Sequence, residues 1–258
     1  MRAVSRALWT PAQITTGLWL DAADNTTVFS DAGTTQAIAG TSTIQQWNDK
    51  SGNARHVTQS TSLKRPSYTL NGLNSQNVVS FVDDALYNAA LDWATGTHSL
   101  FAVFRRTEGI NFQTFIASGA GETARFAYGT AAPPPSFSSK YSIFRIAEYH
   151  AEFTQAWGNA NILSFASSGS PTSTLIVNSG SPSTVTIGGA VTTAAGIFIG
   201  SNSSFSEPTQ GYFAEIIVML SAASTGTRET VEGYLAHKWG LTANLPSGHP
   251  HKTTPPYA

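Results

Sequence analysis

The chain has 258 residues, a formal net charge of −1 and only 11% charged residues, which stand singly or in pairs. This charge pattern excludes the concentrated basic face on which nucleic-acid binding depends. Cysteine is absent, which excludes disulfides and thiolate metal sites, so the 41% hydrophobic residues have to supply stability by burial.

The first 15 residues precede the first strand pattern and have no periodicity of their own, so we expect an N-terminal arm over residues 1–15. Arg2 and Arg6 lie in it, but it lacks an apolar stretch long enough for a secretion signal. No run of apolar residues approaches the 18 that a membrane-spanning helix needs. We therefore expect one domain over residues 16–258, with no signal peptide, no membrane partner and no nucleic-acid partner.

Segments rich in β-branched and aromatic residues, separated by Gly, Ser, Asn and Pro, follow one another from residue 17 to residue 220. They predict twelve strands: 17–21, 77–82, 97–106, 112–117, 125–128, 140–147, 152–157, 162–166, 173–177, 184–187, 197–200 and 212–220. This pattern is typical of an all-β fold, a two-sheet antiparallel jelly-roll sandwich. Asn71-Gly72 is the strongest single signal for a hairpin turn.

One short C-terminal helix is predicted from Thr227 to Trp239, where Tyr234, Leu235 and Trp239 recur at helical spacing and Gly240 ends the pattern. We expect these apolar residues to fasten the helix to one end of the sandwich. The proline-rich and histidine-rich segment after residue 245 is predicted to be an extended strap against the body.

Six strings of the sequence resemble, in order, a laminin G-like jelly-roll family of the concanavalin A-like lectin/glucanase superfamily, found in phage and bacterial proteins. The strings are WTPAQITTGLWLDAAD (9–24), IQQWNDKSGNARHVTQ (44–59), RPSYTLNGLNSQNVVSFVDDALY (65–87), FIGSNSS (198–204), FAEIIVML (213–220) and VEGYLAHKWGLTANLPSGHPHKTTPP (231–256). The family often has a glycine near Asp83 and Asp84, which this chain lacks.

The resemblance implies the fold, but the fold serves lectins, laminin modules, pentraxins, glycan hydrolases and virion parts alike. Our first hypothesis is a non-enzymatic virion structural or adhesion module, such as a phage head decoration or a tail fibre or spike protein. It would be made in the host cytoplasm and located in the virion, with other virion proteins or further copies of itself as partners. The alternative is a lectin module for cell-surface polysaccharide, with or without calcium.

An enzyme is the third hypothesis. Glucanases of this fold carry acidic residues at alternating positions of one strand, in an E-x-D-x-E pattern, so that two carboxylates face one cleft. The chain has no such string, and its nearest carboxylates are the pairs Glu148 with Glu152 and Asp21 with Asp24. A G-x-S-x-G nucleophile elbow is also absent. We therefore expect no enzymatic activity.

Calcium is the ion that the resemblance implies, because jelly rolls of this kind bind it through carboxylates and carbonyls of loops. Asp83 and Asp84 are the first candidates as ligands, with Asp21, Asp24 and Asn25 as further ones. The alternative is that these side chains cap turns, as Asp and Asn commonly do. We expect no other cofactor.

Sugar binding needs an aromatic ring beside planar polar groups at a rim. Trp93, Tyr87, Trp157, Tyr149 and His150 fall near predicted loops or strand ends and are the candidates for carbohydrate binding. The alternative for each aromatic residue is a place in the core, where most rings of a sandwich lie.

Overall fold

Two antiparallel β-sheets packed face to face form the body of the protein, and one helix covers the outer face of the first sheet. The computed structural model describes residues 6–107, 113–119, 124–129, 140–145, 148–154, 158–168, 172–186 and 195–258. Among these residues, no helix is long and apolar enough to cross a membrane.

The strands in chain order are β1 (Leu18–Asp21), β2 (Val28–Phe29), β3 (Gln46–Trp47), β4 (Val57–Thr58), β5 (Ser67–Leu73), β6 (Gln76–Val82), β7 (Leu86–Asp92), β8 (Thr97–Arg106), β9 (Gln113–Ser118), β10 (Ala124–Gly129), β11 (Lys140–Arg145), β12 (Glu148–Thr154), β13 (Ala160–Ser168), β14 (Thr172–Val177), β15 (Ser183–Thr186), β16 (Ala195–Ile199) and β17 (Gln210–Met219). The helix α1 spans Thr225–Lys238.

The first sheet has eight strands within the described residues: seven follow the order β15-β14-β13-β8-β17-β6-β5, and the eighth, β1, pairs with β17. Strand β17 is long enough to pair twice along one edge, with β6 through residues 210–213 and with β1 through residues 215–218. The second sheet has the order β12-β11-β10-β9-β16-β7-β4-β3-β2, which makes nine strands in the part of the chain that is described. The predicted two-sheet antiparallel sandwich is therefore confirmed.

Alternating side chains build two cores, one on each face of the first sheet. In β8, Leu100, Ala102 and Phe104 face the second sheet, while Phe101 and Val103 face the helix. The same alternation runs through β1 and β17, because neighbouring residues on a strand point to opposite faces. The central strands of the first sheet are consequently buried on both sides.

The helix lies across the middle of the first sheet, in contact with β13 and β8, and not at one end of the sandwich as we expected. Val231, Leu235, Ala236 and Trp239 are buried there among the helix-facing residues of β1, β8 and β17. The reason is that those strands carry apolar residues on both faces, so both faces require cover. Ser224 caps the helix, which begins at Thr225, two residues before the predicted start.

All twelve predicted strands are present, with ends shifted by a few residues. The predicted residues Phe112, Ile187 and those at 146–147 and 155–157 lie outside the described part of the chain. The sequence patterns missed β2, β3, β4, β5 and β7. The first three have only two residues each, and β5 and β7 have exposed polar or alanine positions in place of regular apolar alternation.

The predicted turn at Asn71-Gly72 is wrong. Strands β5 and β6 turn three residues later, where Leu73 pairs with Gln76 across Asn74 and Ser75. Both turn residues have positive φ, 48° and 58°, as a two-residue type I′ hairpin requires. Asn71 also has a positive φ, but it belongs to an irregularity in the pairing between Thr69 and Leu73.

The N-terminal segment and the C-terminal strap lie side by side on the helix side of the first sheet. Leu8 and Tyr257 form an antiparallel bridge, and Trp9 N–H donates to the carbonyl of Pro256 at 3.0 Å. Trp9 also packs edge to face against Tyr234 of α1, with ring centroids 5.7 Å apart. Both segments are thus held against the helix.

A buried carboxylate, Glu215 of β17, fastens α1 to the first sheet. Its Oε1 accepts hydrogen bonds from Trp19 Nε1 at 2.7 Å and from the Tyr234 hydroxyl at 2.9 Å. Its Oε2 accepts from Lys238 Nζ at 2.7 Å and from Trp239 Nε1 at 2.8 Å. Burial raises the pKa of the Glu215 carboxyl, while the Lys238 ammonium acts against that shift.

The charges continue outward from Glu215 toward the loops. Lys238 Nζ also lies 2.6 Å from Asp21 Oδ1, and Lys50 Nζ lies 2.8 Å from both Asp21 Oδ2 and Asp24 Oδ2. The Lys50 ammonium stands 4.4 Å from the ring centroid of Trp19. Positive and negative groups therefore alternate from Glu215 to Asp24, and each carboxylate of this charge network has a cationic partner.

We predict that Glu215→Gln lowers the free energy of unfolding by about 3–5 kcal/mol, the usual cost of removing one partner of a buried ion pair. The amide NH₂ of glutamine would face the donors of Lys238 and Trp239, which the carboxylate now satisfies. Urea denaturation measures the change.

The matched control is Lys238→Met, alone and combined with Glu215→Gln. Since the two charges interact directly, the double variant should lose clearly less stability than the sum of the single variants. Additive losses would show that the pair contributes no coupling and that packing alone holds the helix.

Candidate functional site

Three aromatic side chains form a row on the outer face of the second sheet, on the side away from α1. Leu86, Ile197 and Ile199 face the inter-sheet core, so the alternate residues Tyr87 and Phe198 point outward. Their rings stack 4.2 Å apart at an interplanar angle of 23°. Phe205 meets Phe198 edge to face with centroids 6.2 Å apart. We call Tyr87, Phe198 and Phe205 the aromatic row.

Strand pairing and backbone shape set the position of the aromatic row. Tyr87 of β7 lies directly opposite Phe198 of β16. Gly196 has φ 102°, and a Cβ at this position would come within 2.9 Å of Cε2 of Tyr87. Glycine therefore allows the tyrosine ring to lie against the backbone of β16.

Tyr87 is the accessible end of the aromatic row. It is half-buried, while Phe198 is only 9% exposed. On its other side Tyr87 pairs with Thr58 of β4, an exposed short side chain that leaves the second ring face uncovered by another ring. Among the described residues, no group hydrogen-bonds the Tyr87 hydroxyl. One ring face and one hydroxyl are thus available to a ligand.

Trp93 does not belong to this surface, contrary to our expectation. It is 2% exposed and belongs to the core between the sheets, where it meets His98 edge to face at 5.5 Å. Its place between the predicted strands 77–82 and 97–106 suggested a loop position, but in the structure it directly follows β7 and its ring belongs to the core. A sugar could reach this indole only if the core opened.

The side chains of the other three carbohydrate candidates lie outside the described part of the structure. Tyr149 and His150 lie in β12, where His150 pairs with Ile143 and Tyr149 with Phe144, and the structure describes only this backbone pairing. Trp157 lies outside the described residues. Their roles as sugar ligands stay predictions.

Asp83 and Asp84 lie in the loop between β6 and β7, as expected, but their surroundings differ. Asp83 is exposed with φ 59°, and its carbonyl accepts a hydrogen bond from Lys64 Nζ at 3.0 Å. Asp84 is 9% exposed, and its Oδ2 accepts from the Val82 N–H at 2.8 Å. Burial raises the pKa of Asp84 to about 6. Asp84 thus caps the turn, as the alternative interpretation held.

The further calcium candidates are committed to other partners. Asp21 and Asp24 belong to the charge network with Lys50 and Lys238. Asp24 also caps a short 3₁₀ turn that begins at Asn25, through the Thr26 N–H. Within the described ranges, no three His, Asp or Glu side chains come together in a way that suits a metal ion.

The two buried glutamates between the first sheet and α1, Glu215 and Glu232, accept several hydrogen bonds each. Glu232 of α1 accepts from Ser164 Oγ at 2.6 Å, Ser179 Oγ at 2.7 Å and Arg228 Nη1 at 2.6 Å. Burial opposes the ionised form, but His249, whose Nε2 lies 3.7 Å from Oε2, the hydrogen bonds from the two serines and the Arg228 charge together hold the pKa of Glu232 below its usual value. Glu232 and Glu215 therefore act as structural anions. The side chains of Glu148 and Glu152 lie outside the described residues.

Phe198 and Phe205 are the site residues that the sequence patterns missed. Phe198 stands in an apolar run, IFIG, where every residue reads as core. Phe205 stands in a serine-rich loop, and its positive φ of 56° is visible only in the structure. Strand register supplies the missing information, because it places Phe198 opposite Tyr87.

Comparison with solved structures finds distant structural matches to proteins of the concanavalin A-like lectin/glucanase fold. A GH54 α-L-arabinofuranosidase soaked with a cyclic sulfate inhibitor matches with a TM-score of 0.60 at 17% identity, over 88% of this chain and 60% of that one. A search with family models and a search among curated proteins gave no match.

Two further similar structures belong to proteins of different kinds. Trypanosoma rangeli sialidase in complex with sialic acid matches with a TM-score of 0.60 at 10% identity, over 92% of this chain and 36% of that one. The botulinum neurotoxin serotype D binding domain matches with a TM-score of 0.57 at 11% identity, over 84% of this chain and 51% of that one. The chain spans less than two thirds of the length of each of these proteins, and the likeness establishes the fold alone.

We predict that Asp84→Asn raises the free energy of unfolding at pH 7.5 by about 1–2 kcal/mol and leaves it nearly unchanged at pH 4. The folded-state pKa of about 6 lies above the ordinary value of 3.8. The wild-type protein therefore loses stability as the pH rises through this range, and asparagine removes that loss while still accepting from Val82.

Urea midpoints measured at pH 4.0 and 7.5 test this prediction. The control is Asp83→Asn, which removes the neighbouring exposed charge but keeps Asp84 buried, and it should retain most of the pH dependence. An unchanged pH dependence in Asp84→Asn would show that Asp84 is not the titrating group.

Proposed function

We propose that this chain is a non-enzymatic carbohydrate-binding module that contacts a glycan through the outer face of its second sheet. The observation that carries the proposal is the aromatic row, with Tyr87 partly exposed at its end beside Thr58. An aromatic ring packs against the C–H face of a sugar ring, and the tyrosine hydroxyl offers a hydrogen bond at the rim.

The position of the row supports a binding role over a purely structural one. The outer face of the first sheet is covered by α1 and by the two terminal segments, whereas Tyr87 and Phe198 stand on the opposite face of the sandwich. Aromatic side chains that are not needed for the core suit recognition of a ligand. The similar structures also include an α-L-arabinofuranosidase, a sialidase in complex with sialic acid and a toxin binding domain, which fits a glycan as ligand.

We also propose that the chain does not catalyse glycoside hydrolysis, because its buried carboxylates accept hydrogen bonds from within the fold. Glycoside hydrolysis needs two carboxyl groups facing one cleft, with one of them able to give a proton. Glu215 and Glu232 instead accept hydrogen bonds from groups inside the fold, and Asp84 caps a backbone amide. None of these three offers a pair of carboxylates to a substrate.

A place in a virion, as a head decoration or a tail fibre or spike module, remains a separate proposal. It rests on the low charge and on the family resemblance of the sequence. A self-associating particle protein should be multimeric in solution and indifferent to EDTA. A stable monomer that binds glycan only with calcium would contradict this placement and favour a calcium-dependent lectin.

Affinity electrophoresis in gels that contain soluble polysaccharides tests glycan binding. We expect at least one of xylan, arabinoxylan and a sialylated mucin to retard the protein. Tyr87→Ala should weaken the retardation at least tenfold, because it removes the exposed ring. Tyr87→Phe should keep most of the retardation, since it preserves the stack on Phe198.

The control variant is Tyr257→Ala, which removes a tyrosine that is 42% exposed on the helix side. It should leave binding unchanged. Equal losses for Tyr87→Ala and Tyr257→Ala would contradict a role for the aromatic row. Release of reducing ends from any of the polysaccharides would contradict the proposed lack of enzymatic activity.

A further inference from the structure

A pocket of about 380 Å³ opens on the outer face of the first sheet, beyond the C-terminal end of α1. It lies between the starts of β13 and β17, the end of β8 and the turn that follows the helix. Its lining includes Leu73, Arg105, Asn159, Tyr212, Leu241 and Asn244. We call this cavity the Arg105 pocket. It is separated from the aromatic row by the full thickness of the sandwich.

Arg105 is a cation without an anionic partner among the described residues. It lies directly opposite Tyr212 in the pairing of β8 with β17, and its guanidinium carbon is 5.8 Å from the centroid of the Tyr212 ring. Its Nε is buried and has no hydrogen-bond partner there. By contrast, Lys50 and Lys238 on the same side of the sheet are each paired with two carboxylates.

Tyr212 supplies a second unmet polar group at the floor of the pocket. The residue is 5% exposed, and its buried hydroxyl makes no hydrogen bond of good geometry in the described structure. Burial raises the pKa of this hydroxyl, and the neighbouring Arg105 guanidinium acts against that shift. A buried hydroxyl without a partner is costly, and in native proteins such groups commonly meet a ligand or an ordered water. The hydroxyl and the guanidinium therefore call for an acceptor in the same cavity.

The rim adds amides and apolar surface. Asn244 donates its Nδ2 to the carbonyl of Ala160 at 3.2 Å, which leaves its Oδ1 for other donors. Asn159 is exposed beside it, and Leu73 and Leu241 form apolar walls. An inorganic anion would use the guanidinium but would leave the amides and the apolar walls without contacts.

We propose that the Arg105 pocket binds a sugar unit that carries a carboxylate. The planar guanidinium of Arg105 fits a carboxylate through two parallel N–H donors. The Tyr212 hydroxyl donates to the same group or to a neighbouring sugar oxygen. Asn159 and Asn244 accept hydrogen bonds from the ring hydroxyls of the sugar. This site is independent of Tyr87, so it stands or falls separately from the proposed function.

Titration of the full-length protein with sodium glucuronate and with glucose, followed by NMR or calorimetry, tests the proposal. The two sugars differ chiefly in the carboxylate, so glucuronate should bind at least tenfold more tightly. Arg105→Gln should reduce the affinity for glucuronate at least tenfold. Arg105→Lys, which keeps the charge but loses the planar fork, should give an intermediate affinity, and Tyr212→Phe should reduce the affinity several-fold.

The control is Arg6→Gln, which makes the same change of charge at an exposed residue of the N-terminal segment. It should leave glucuronate binding unchanged, and so should Tyr87→Ala. Equal affinities for glucose and glucuronate, or no effect of Arg105→Gln in a protein with wild-type thermal stability, would overturn the proposal. Sodium sulfate that competes as well as glucuronate would also overturn it, because the pocket would then be a simple anion site.

Discussion

A carboxylate buried under a helix must accept hydrogen bonds from neighbouring groups. For Glu215 of β17 these bonds join the first sheet to α1. The donors to Glu215 come from two segments far apart in the chain, namely β1 through Trp19 and the end of α1 through Tyr234, Lys238 and the adjacent Trp239. Lys238 passes the charge on to Asp21, and Lys50 brings in the loop after β3. Leaving a buried charge without partners costs several kcal/mol, so these segments have to fold together.

This requirement explains most of the sequence strings that resemble the laminin G-like family. In WLD, DKSGN, FAEII and YLAHKW the polar residues that stand out among apolar ones are members of one contact network. Asp49 closes the loop in that network, because its Oδ1 accepts from the N–H of Trp19 at 2.9 Å and from that of Ser51 at 2.8 Å. The strings are thus explained by folding, and the surfaces that contact ligands have to be sought elsewhere.

The sequence predicted the strands well because alternation and β-branched content are local properties. It missed β7, whose exposed Ala89 and Ala90 give no alternation, and it misplaced the hairpin, because the choice between Asn71-Gly72 and Asn74-Ser75 depends on the pairing with β6. The site was harder to predict. Tyr87 was found from its position near a loop, but its partner Phe198 and the cross-strand pair of Arg105 with Tyr212 depend on strand register, which no local pattern contains. The prediction for Trp93 was wrong for the same reason, since only the fold determines whether a ring at the end of a strand points inward or outward.

The bridge between Leu8 and Tyr257 has a consequence for how this domain is presented to its surroundings. The Ala258 N–H donates to the carbonyl of Ala7 at 2.9 Å, so the two ends of the described chain meet at one point on the helix side. A tether joined to either end, or to both, departs from that single point and leaves the opposite face of the sandwich turned outward. The face that carries Tyr87, which is proposed above to contact a glycan, stays clear of any segment joined at that point.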